Sequence, residues 1–307
     1  MREDTVMKLY STTQGIARET ADGRLEILEL DAADLGAHLA EDPTLDLARN
    51  AVAGTPIAAD VVQLRAPVPN PGSVFCVGAN YQSHLDEVKT ILGLLGDPDT
   101  VAATLEKLQH TPMFFSVPSS AVSGPHDPIV LPAIASEQVD YEIEVAVIVG
   151  RGGKNIAPAD VPSRVAGLTL ANDVSARDIQ TQAMREHSFE FGHAKGLDGF
   201  KPMGPCLVTM DEFSSAMDMP IDMAIEAKVN GETRQLANLS QLIHDIPRCV
   251  SYISTFHSLR PGDVILTGSP AGVGFFQGKF LKPGDVVEMT ADGIGELRNP
   301  VVAESND

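Results

Sequence analysis

The first quarter of the chain changes between strand-like and helix-like patterns. Residues 8–30 hold short apolar stretches on both sides of Asp22-Gly23, a dipeptide typical of hairpin turns. Residues 31–52 then show apolar positions at helical spacing. Residues 65–73 are rich in proline, which indicates a linker. We therefore predict two units, a small N-terminal domain in residues 1–65 and a larger domain in residues 66–307.

Strand-like patterns dominate the larger unit after one long helical stretch. Residues 84–109 have helical spacing that is interrupted at Gly96-Asp97-Pro98. From residue 112 onward, short apolar runs alternate with turns, and Asn230-Gly231 is a strong hairpin signal. One more amphipathic helix is predicted in residues 241–259. The whole pattern predicts an α+β fold that is mainly β.

Three acidic residues occupy every second position just before an apolar run. In EQVDYEIEVAVIVG, residues 137–150, the alternation predicts a strand that aims Asp140, Glu142 and Glu144 to one face. Such carboxylates lie about 6–7 Å apart and repel one another. Two interpretations follow: an edge strand with a hydrated polar face, or a site for a divalent cation such as Mg²⁺, which prefers oxygen ligands.

The strongly acidic overall charge makes large anionic partners unfavourable. The 307 residues include 22 Lys and Arg against 42 Asp and Glu, a formal net charge of −20. Such a surface repels nucleic acid and anionic membranes, but it tolerates metal cations. We therefore expect no nucleic acid and no membrane as partner, and an anionic substrate would need a local basic pocket.

The cysteines and the N-terminus indicate a cytoplasmic protein. Three cysteines are too few and too scattered for a disulfide framework or a zinc cluster, so we expect buried thiols in a reducing compartment: Cys76, Cys206 and Cys249. The first residues, MREDTVMKLYSTT, are charged and lack the apolar centre of a signal peptide. No apolar run approaches the length of about 18 residues that a membrane span requires.

Two polar clusters follow short apolar strands. Asp173, Arg177 and Gln180 share one face if a helix begins near Asp173. This pattern suits either a capping Asp with exposed partners or a ligand carboxylate beside a cationic grip. His84 and Glu87 lie three residues apart on a predicted helix. They suit either a surface pair or a general base whose tautomer is held by the carboxylate.

Two glycine-rich turns give weaker signals. GHAKGLDGFKPMGP, residues 192–205, contains two lysines, including Lys195, and has no phosphate-loop spacing, so we expect a solvated loop. ILTGSPAGVG, residues 265–274, follows an apolar strand. Its turn leaves backbone N–H groups available to an anion, and Ser269 adds a hydroxyl.

Together these motifs resemble the fumarylacetoacetate hydrolase family, in particular its smaller members, the acylpyruvate hydrolases and related isomerases and decarboxylases. The likeness covers residues 70–303 and rests on the number, order and spacing of these motifs: GANYQSH…E, DYEIEVAVIVG, NDVSARDIQ, KGLDGFKPMGP, VNGETRQ, LRPGDVILTGSPAGVG and LKPGDVVEM…GIGELRNPVV. The resemblance implies a mixed β-roll like the C-terminal domain of fumarylacetoacetase, with a helical lid at residues 80–112, and a homodimer.

The resemblance also implies a role for individual residues. A Mg²⁺ or Mn²⁺ ion would be held by three acids: Glu142, Glu144 and Asp173. A small anionic keto-acid substrate would be contacted by four polar residues: Arg177, Gln180, Lys195 and Ser269, the last standing where the family has threonine. Catalysis would fall to Lys195 and to the His84–Glu87 pair of the lid. Val117 stands where many members have lysine, which predicts a neutral distal group on the substrate.

We expect a metal-dependent hydrolase that cleaves a C–C bond of a 2,4-diketo acid of the acylpyruvate type, as in the catabolism of aromatic compounds. The His84–Glu87 pair would activate water, and the products would be pyruvate and a carboxylic acid. One fold supports several reactions, so an isomerase or tautomerase of 2-hydroxydienedioates and an oxaloacetate-type decarboxylase are alternatives. A non-catalytic cation-binding protein is a further alternative, although it needs neither a base nor a lysine.

Overall fold

The computed structural model describes residues 7–95, 97–135, 137–187, 191–211, 213 and 220–305 of the chain. The strands are β1 Lys8–Thr12, β2 Gly15–Glu19, β3 Leu25–Ile27, β4 Val74–Gly78, β5 Met113–Val117, β6 Val122–Ser123, β7 Ile129–Leu131, β8 Val139–Asp140, β9 Ile143–Val149, β10 Val165–Asn172, β11 Ser175–Ala176, β12 Lys201–Thr209, β13 Ala224–Val229, β14 Glu232–Asn238, β15 Val264–Leu266, β16 Val286–Ala291 and β17 Gly295–Ala303. The α-helices are α1 Leu35–Glu41, α2 Asp46–Asn50, α3 Gln82–Leu95, α4 Pro98–His110, α5 Arg177–His187, α6 Gly192–Lys195, α7 Ile246–Phe256 and α8 Gly274–Gln277.

The larger of the two main sheets has ten strands and mixed direction. Nine of them follow the order β3-β2-β1-β12-β10-β9-β15-β4-β5, and β6 pairs in parallel with β12. Along that order only β15 and β4 run parallel to each other. Every residue of β9 is buried, because both faces of this central strand are covered. The predicted single strand is divided in two: Glu144 lies within β9, Asp140 belongs to β8, which pairs with β11 in a separate two-stranded sheet, and Glu142 lies between them.

The second sheet packs on the first around a shared apolar core. Its five strands follow the order β14-β13-β16-β17-β7, and β7 pairs in parallel with β17. Leu168 and Leu170 of β10 lie in one buried cluster with Met289 of β16 and Leu297 of β17. The turn predicted at Asn230-Gly231 is confirmed and joins β13 to β14. Strands outnumber helices as the pattern predicts.

The N-terminal strands extend the larger sheet. The hairpin at Asp22-Gly23 is confirmed between β2 and β3, and a further hairpin that the pattern did not resolve joins β1 to β2. The helical spacing of residues 31–52 corresponds to α1 and α2. Because β1 pairs with β12, the first strands are hydrogen-bonded to the rest of the fold. The domain boundary at residue 65 stays a prediction.

Two helices form the segment predicted as a lid. Asp97 caps α4 by accepting from the backbone of Thr100, and Pro98 is its first residue, so the predicted interruption is confirmed. Asn80 fixes the start of the segment, since its Nδ2 donates to the carbonyls of His244 and Thr267 at 2.9 and 2.8 Å. Among the described residues, no helix is long and apolar enough to cross a membrane.

Candidate active site

Three carboxylates meet where β9 and β10 lie side by side. Glu142 immediately precedes β9, Glu144 lies within it, and Asp173 directly follows β10. One ligand oxygen from each lies within 4.8 Å of the others. All three side chains are buried, and so is that of Asp140. The interpretation as a hydrated edge strand is therefore wrong, and the third acid does come from the neighbouring strand.

The oxygen atoms of this cluster suit a hard divalent cation. Asp173 Oδ1 is buried, and no described donor is aligned to hydrogen-bond with it. Burial, together with the charges of Asp173 and Glu142, raises the pKa of Glu144 well above its ordinary value. A cation with a preference for oxygen ligands would bind these buried carboxylates and relieve the repulsion between them. The residues present therefore fit a metal ion of the Mg²⁺ type.

Two lysines enter the cluster from the glycine-rich segment. Lys195, at the end of α6, donates to Glu142 Oε2 at 3.0 Å and to Asp173 Oδ2 at 2.7 Å. Lys201, the first residue of β12, places its Nζ 2.7 Å from Asp173 Oδ1. Both lysines are buried. The expectation of a solvated loop is therefore wrong for these two side chains, because buried carboxylates hold them inside.

Arg177 connects the cluster to a fourth acid. Its Nε donates to Asp140 Oδ2 at 2.8 Å, its Nη1 donates to Gln180 Oε1 at 2.8 Å, and its Nη2 donates to Glu142 Oε1. The predicted face shared by three residues is wrong in one respect. Helix α5 begins at Arg177, because β11 intervenes after Asp173, so only Arg177 and Gln180 lie on the helix.

The predicted His–Glu pair is formed at the start of α3. His84 Nδ1 lies 3.0 Å from Glu87 Oε2, and Glu87 Oε1 accepts the backbone N–H of Gly272 at 3.0 Å. Glu87 therefore fixes both the imidazole and the glycine-rich turn after β15. Glu144 accepts from Gly268 of that same turn, so the His84–Glu87 pair and the carboxylate cluster are joined through it.

The turn after β15 supplies the remaining predicted residue. Ser269 is buried, and its Oγ accepts from Gln235 Nε2 at 2.8 Å. Gln235 Oε1 in turn accepts the backbone N–H of Ile143 at 2.9 Å, next to the first metal-ligand candidate. The N–H of Gly268 donates to Glu144 Oε2 at 2.6 Å. All nine predicted site residues therefore belong to one connected cluster.

The sequence matches a family model over most of its length. The model is described as fumarylacetoacetate (FAA) hydrolase C-terminal, and it matches residues 73–302. The chain belongs to the fumarylacetoacetate hydrolase family. Among curated relatives, it is 37% identical over 265 residues to "Oxaloacetate tautomerase Fahd2a, mitochondrial" of Rattus norvegicus, with 85% of this chain and 77% of that protein covered. A Dictyostelium discoideum relative, a fumarylacetoacetate hydrolase domain-containing protein 2 homolog, is 35% identical over 246 residues and covers 78% and 74% of the two chains.

Solved structures of family members share the fold. A probable 2-hydroxyhepta-2,4-diene-1,7-dioate isomerase from Mycobacterium abscessus superposes with a TM-score of 0.76 at 29% identity, covering 98% of this chain and all of the other. The fumarylacetoacetate hydrolase of Exiguobacterium antarcticum gives a TM-score of 0.77 at 32% identity, covering 97% and 100% of the two chains. The fold that the motifs implied is therefore confirmed.

In this member of the fumarylacetoacetate hydrolase family, the charges of the buried carboxylates and cations compensate one another. Burial alone would raise the pKa of Glu142, but Lys195, Arg177 and His84 hold it below its ordinary value. Burial alone would likewise lower the pKa of Lys195, but Asp173 and Glu142 raise it. Both groups therefore stay ionised, and the site presents fixed positive charge next to its carboxylates.

Two residues of the site, Lys201 and Gln235, lay outside the sequence prediction, and a third, Asp140, was predicted as one of the aligned acids but was given no role by the resemblance. Gln235 belongs to the VNGETRQ motif, where the alternation of β14 turns it inward and leaves it buried. Asp140 is fully buried and accepts the backbone N–H groups of Gly274 and Phe275 at 2.7 and 3.0 Å. It therefore attaches Arg177 to the turn that carries the serine.

Replacement of Asp140 by Asn is expected to destabilise the protein by about 3 kcal/mol. The carboxylate of Asp140 accepts N–H groups on both oxygens, whereas an amide has only one acceptor oxygen. The substitution would therefore leave Arg177 partly unpaired. The free energy of unfolding from urea titration measures this loss. Asp292→Asn is a matched control, because that exposed carboxylate accepts only a long contact from Ala224 N. Equal stability of the two variants would contradict the role of Asp140.

Proposed function

We propose that this chain catalyses the keto–enol tautomerisation of oxaloacetate. The observation that carries the proposal is the His84–Glu87 pair, which is joined through the turn after β15 to the cluster of three buried carboxylates. Tautomerisation of a 2-oxo acid needs a base beside a site that binds the adjacent carboxylate and oxo group. The names of the relatives support the same class of reaction, an oxaloacetate tautomerase in one case and a dienedioate isomerase in another.

The reaction transfers one proton between carbon and oxygen. His84 removes a proton from C3, and the C–H electron pair forms the C2=C3 bond. The electron pair of the C2=O bond moves to oxygen, which takes up a proton, so the enol has the same atoms as the ketone. Because Glu87 contacts Nδ1, Nε2 is the nitrogen that remains to act as the base.

The cluster provides groups for the anionic end of the substrate. Glu142, Glu144 and Asp173 would hold a Mg²⁺ or Mn²⁺ ion, which supplies a Lewis acid when bound. Arg177 and Lys195 contribute positive charge that stabilises negative charge developing on the C2 oxygen.

A hydroxyl donor lies in the turn after β15. Ser269 Oγ accepts from Gln235, so its own O–H hydrogen points elsewhere and is available to a substrate carboxylate. Gln180 accepts from Arg177 and fixes the guanidinium. These contacts orient the substrate without taking part in proton transfer.

Hydrolysis of an acylpyruvate, the reaction expected from the motifs, is the second candidate. The His84–Glu87 pair favours it as well, since the same base would activate water. Two of the proteins named above, an oxaloacetate tautomerase and a dienedioate isomerase, support proton transfer, and the fumarylacetoacetate hydrolase of Exiguobacterium antarcticum supports C–C cleavage. A decarboxylase does not need the base, and a non-catalytic protein needs neither the base nor the buried lysines. These features therefore support both alternatives less well than they support the tautomerase.

The distal group of the substrate is a point on which the motifs and the relatives differ. Val117, buried at 7% exposure, predicts a neutral group, whereas oxaloacetate and the dienedioates in the relatives' names carry a second carboxylate. We propose the dicarboxylate, which the relatives' names support, and two cations beside the cluster could attract it: Arg177 and Lys195. The cytoplasmic location and the homodimer stay predictions.

The test follows enol absorbance and pyruvate separately. Enol-form oxaloacetate is mixed with the protein, with Mg²⁺ or with EDTA, and Mg²⁺ without protein gives the background rate. We expect faster loss of the enol in the presence of Mg²⁺ and protein, with no pyruvate beyond background. Pyruvate release from acetylpyruvate, with no effect on the oxaloacetate enol, would instead establish the hydrolase and reject the proposal.

A further inference from the structure

Lys201 is a lysine with no exposed surface. Its Nζ donates to the carbonyl oxygens of Phe200 at 3.0 Å, of Val174 at 3.4 Å, and of Lys195. The same atom lies 2.7 Å from Asp173 Oδ1 without an aligned hydrogen bond, so this contact is one of charge. Lysine is almost never fully buried unless it is paired, and the only carboxylate within ion-pair distance among the described residues is Asp173.

The position of Lys201 connects two parts of the site. Through Asp173 it acts on a candidate metal ligand, and through the carbonyl of Lys195 it holds the backbone of the lysine that bridges two carboxylates. β12 fixes it from the other side, since Lys201 pairs with Val122 of β6. Lys201 itself has no exposed surface, so it would act on a bound substrate through its charge and not by contact.

The charges around the cluster give Lys201 a defined effect. The buried acids are four: Asp140, Glu142, Glu144 and Asp173. The buried cations that pair with them are three: Arg177, Lys195 and Lys201. With all of these groups ionised and a divalent cation bound, the cluster has a surplus of one positive charge. Without the charge of Lys201, the surplus disappears.

We propose that Lys201 is a positioning residue that sets the charge of the site, weakening the binding of the divalent cation and strengthening the binding of the anionic 2-oxo acid. The inference rests on the proposed function only in requiring that a cation and such an anion bind here. The positive charge of Lys201, a few ångströms away, repels a bound cation and attracts a bound anion. Its removal should therefore change the two affinities in opposite directions. Loss of packing at a purely structural lysine would weaken both.

Lys201→Met tests this inference by binding measurements on the whole chain. Calorimetric titration of Mn²⁺ into the metal-free protein should show an affinity at least about tenfold higher than in wild type, as a neighbouring charge in a buried site allows. Oxalate is a dianion that resembles the carboxylate and enolate oxygens of a 2-oxo acid. Its titration into the Mn²⁺-loaded variant should show an affinity at least about tenfold lower than in wild type.

Two further variants separate charge from packing. Lys201→Gln keeps N–H donors for the carbonyls and removes the charge, so it should show the same opposite shifts and replaces the Met variant if that variant does not fold. Lys228→Met removes a partly exposed lysine of β13 and should leave both affinities unchanged. If both affinities fall together in the Lys201 variants, if neither changes, or if neither variant folds, Lys201 is structural and the proposal is overturned.

The outcome is independent of the tautomerase assay. Opposite shifts in a protein that does not convert the oxaloacetate enol would support the role of Lys201 and reject the proposed reaction. Enol conversion together with parallel losses of Mn²⁺ and oxalate affinity would support the reaction and reject the role of Lys201.

Discussion

Glu142→Gln is expected to abolish measurable Mg²⁺ binding and to lower the rate of enol conversion about 100-fold or more. Glu142 is one of the three clustered acids, and both of its oxygens also pair with cations, Arg177 on one side and Lys195 on the other. Loss of a residue that only orients a metal ligand lowers metal affinity about 10–100-fold. Loss of a ligand itself should therefore lower metal affinity by about 100-fold or more. Calorimetric titration of Mg²⁺ measures the loss directly.

Two comparisons make this result interpretable. Glu296→Gln removes an exposed glutamate of β17 and should bind Mg²⁺ as wild type does. Asp173→Asn should reproduce the loss seen with Glu142→Gln, because the two acids would hold one ion. Circular dichroism should show that both site variants remain folded. Wild-type Mg²⁺ affinity in either of them would refute the assignment of the metal site.

Several parts of the fold could be predicted because local sequence decides them. The turn at Asn230-Gly231 needs two residues with positive φ, and Asn and Gly adopt φ values of 53° and 76° there. Asp97 and Pro98 start α4 by capping and by a preset φ, whatever lies around them. The alternation of acids at the start of β9 likewise predicted that Glu142 and Glu144 point to the same site. In each case the signal lies within a few residues.

The burial of the two lysines could not be predicted in this way. Lys195 and Lys201 stand among glycines, where a short window is typical of a solvated loop. They are buried because Asp173 and Glu142, 22 and 53 residues away from Lys195, arrive at the same place in the fold. A buried cation is stable only with such partners. The information therefore lies in the pairing of distant segments.

The error at Asp173 has a similar origin. The polar residues after β10 have helical spacing, but Ser175 pairs with Asp140 and forms a short strand first. This pairing delays α5 to Arg177 and leaves Asp173 at the end of a strand beside Glu142. Tertiary pairing thus overrides a local helix preference, and the result is the geometry that the metal site requires.

Replacement of His84 by Ala should lower the rate of enol conversion by roughly 10²–10⁴-fold, the usual cost of losing a general base. Mn²⁺ affinity should stay close to that of wild type, because His84 does not belong to the group of clustered acids. Glu87→Gln should have a smaller effect, since it weakens the contact to Nδ1 and leaves the imidazole in place.

Added imidazole provides the sharpest control for His84→Ala. If the side chain acts as the base, free imidazole should restore part of the lost rate, with a dependence on the concentration of its neutral form. His126→Ala, which removes an exposed histidine in the turn between β6 and β7, should neither lose activity nor respond to imidazole. Enol conversion at the wild-type rate in His84→Ala would show that the base lies elsewhere and would refute the role of the His84–Glu87 pair.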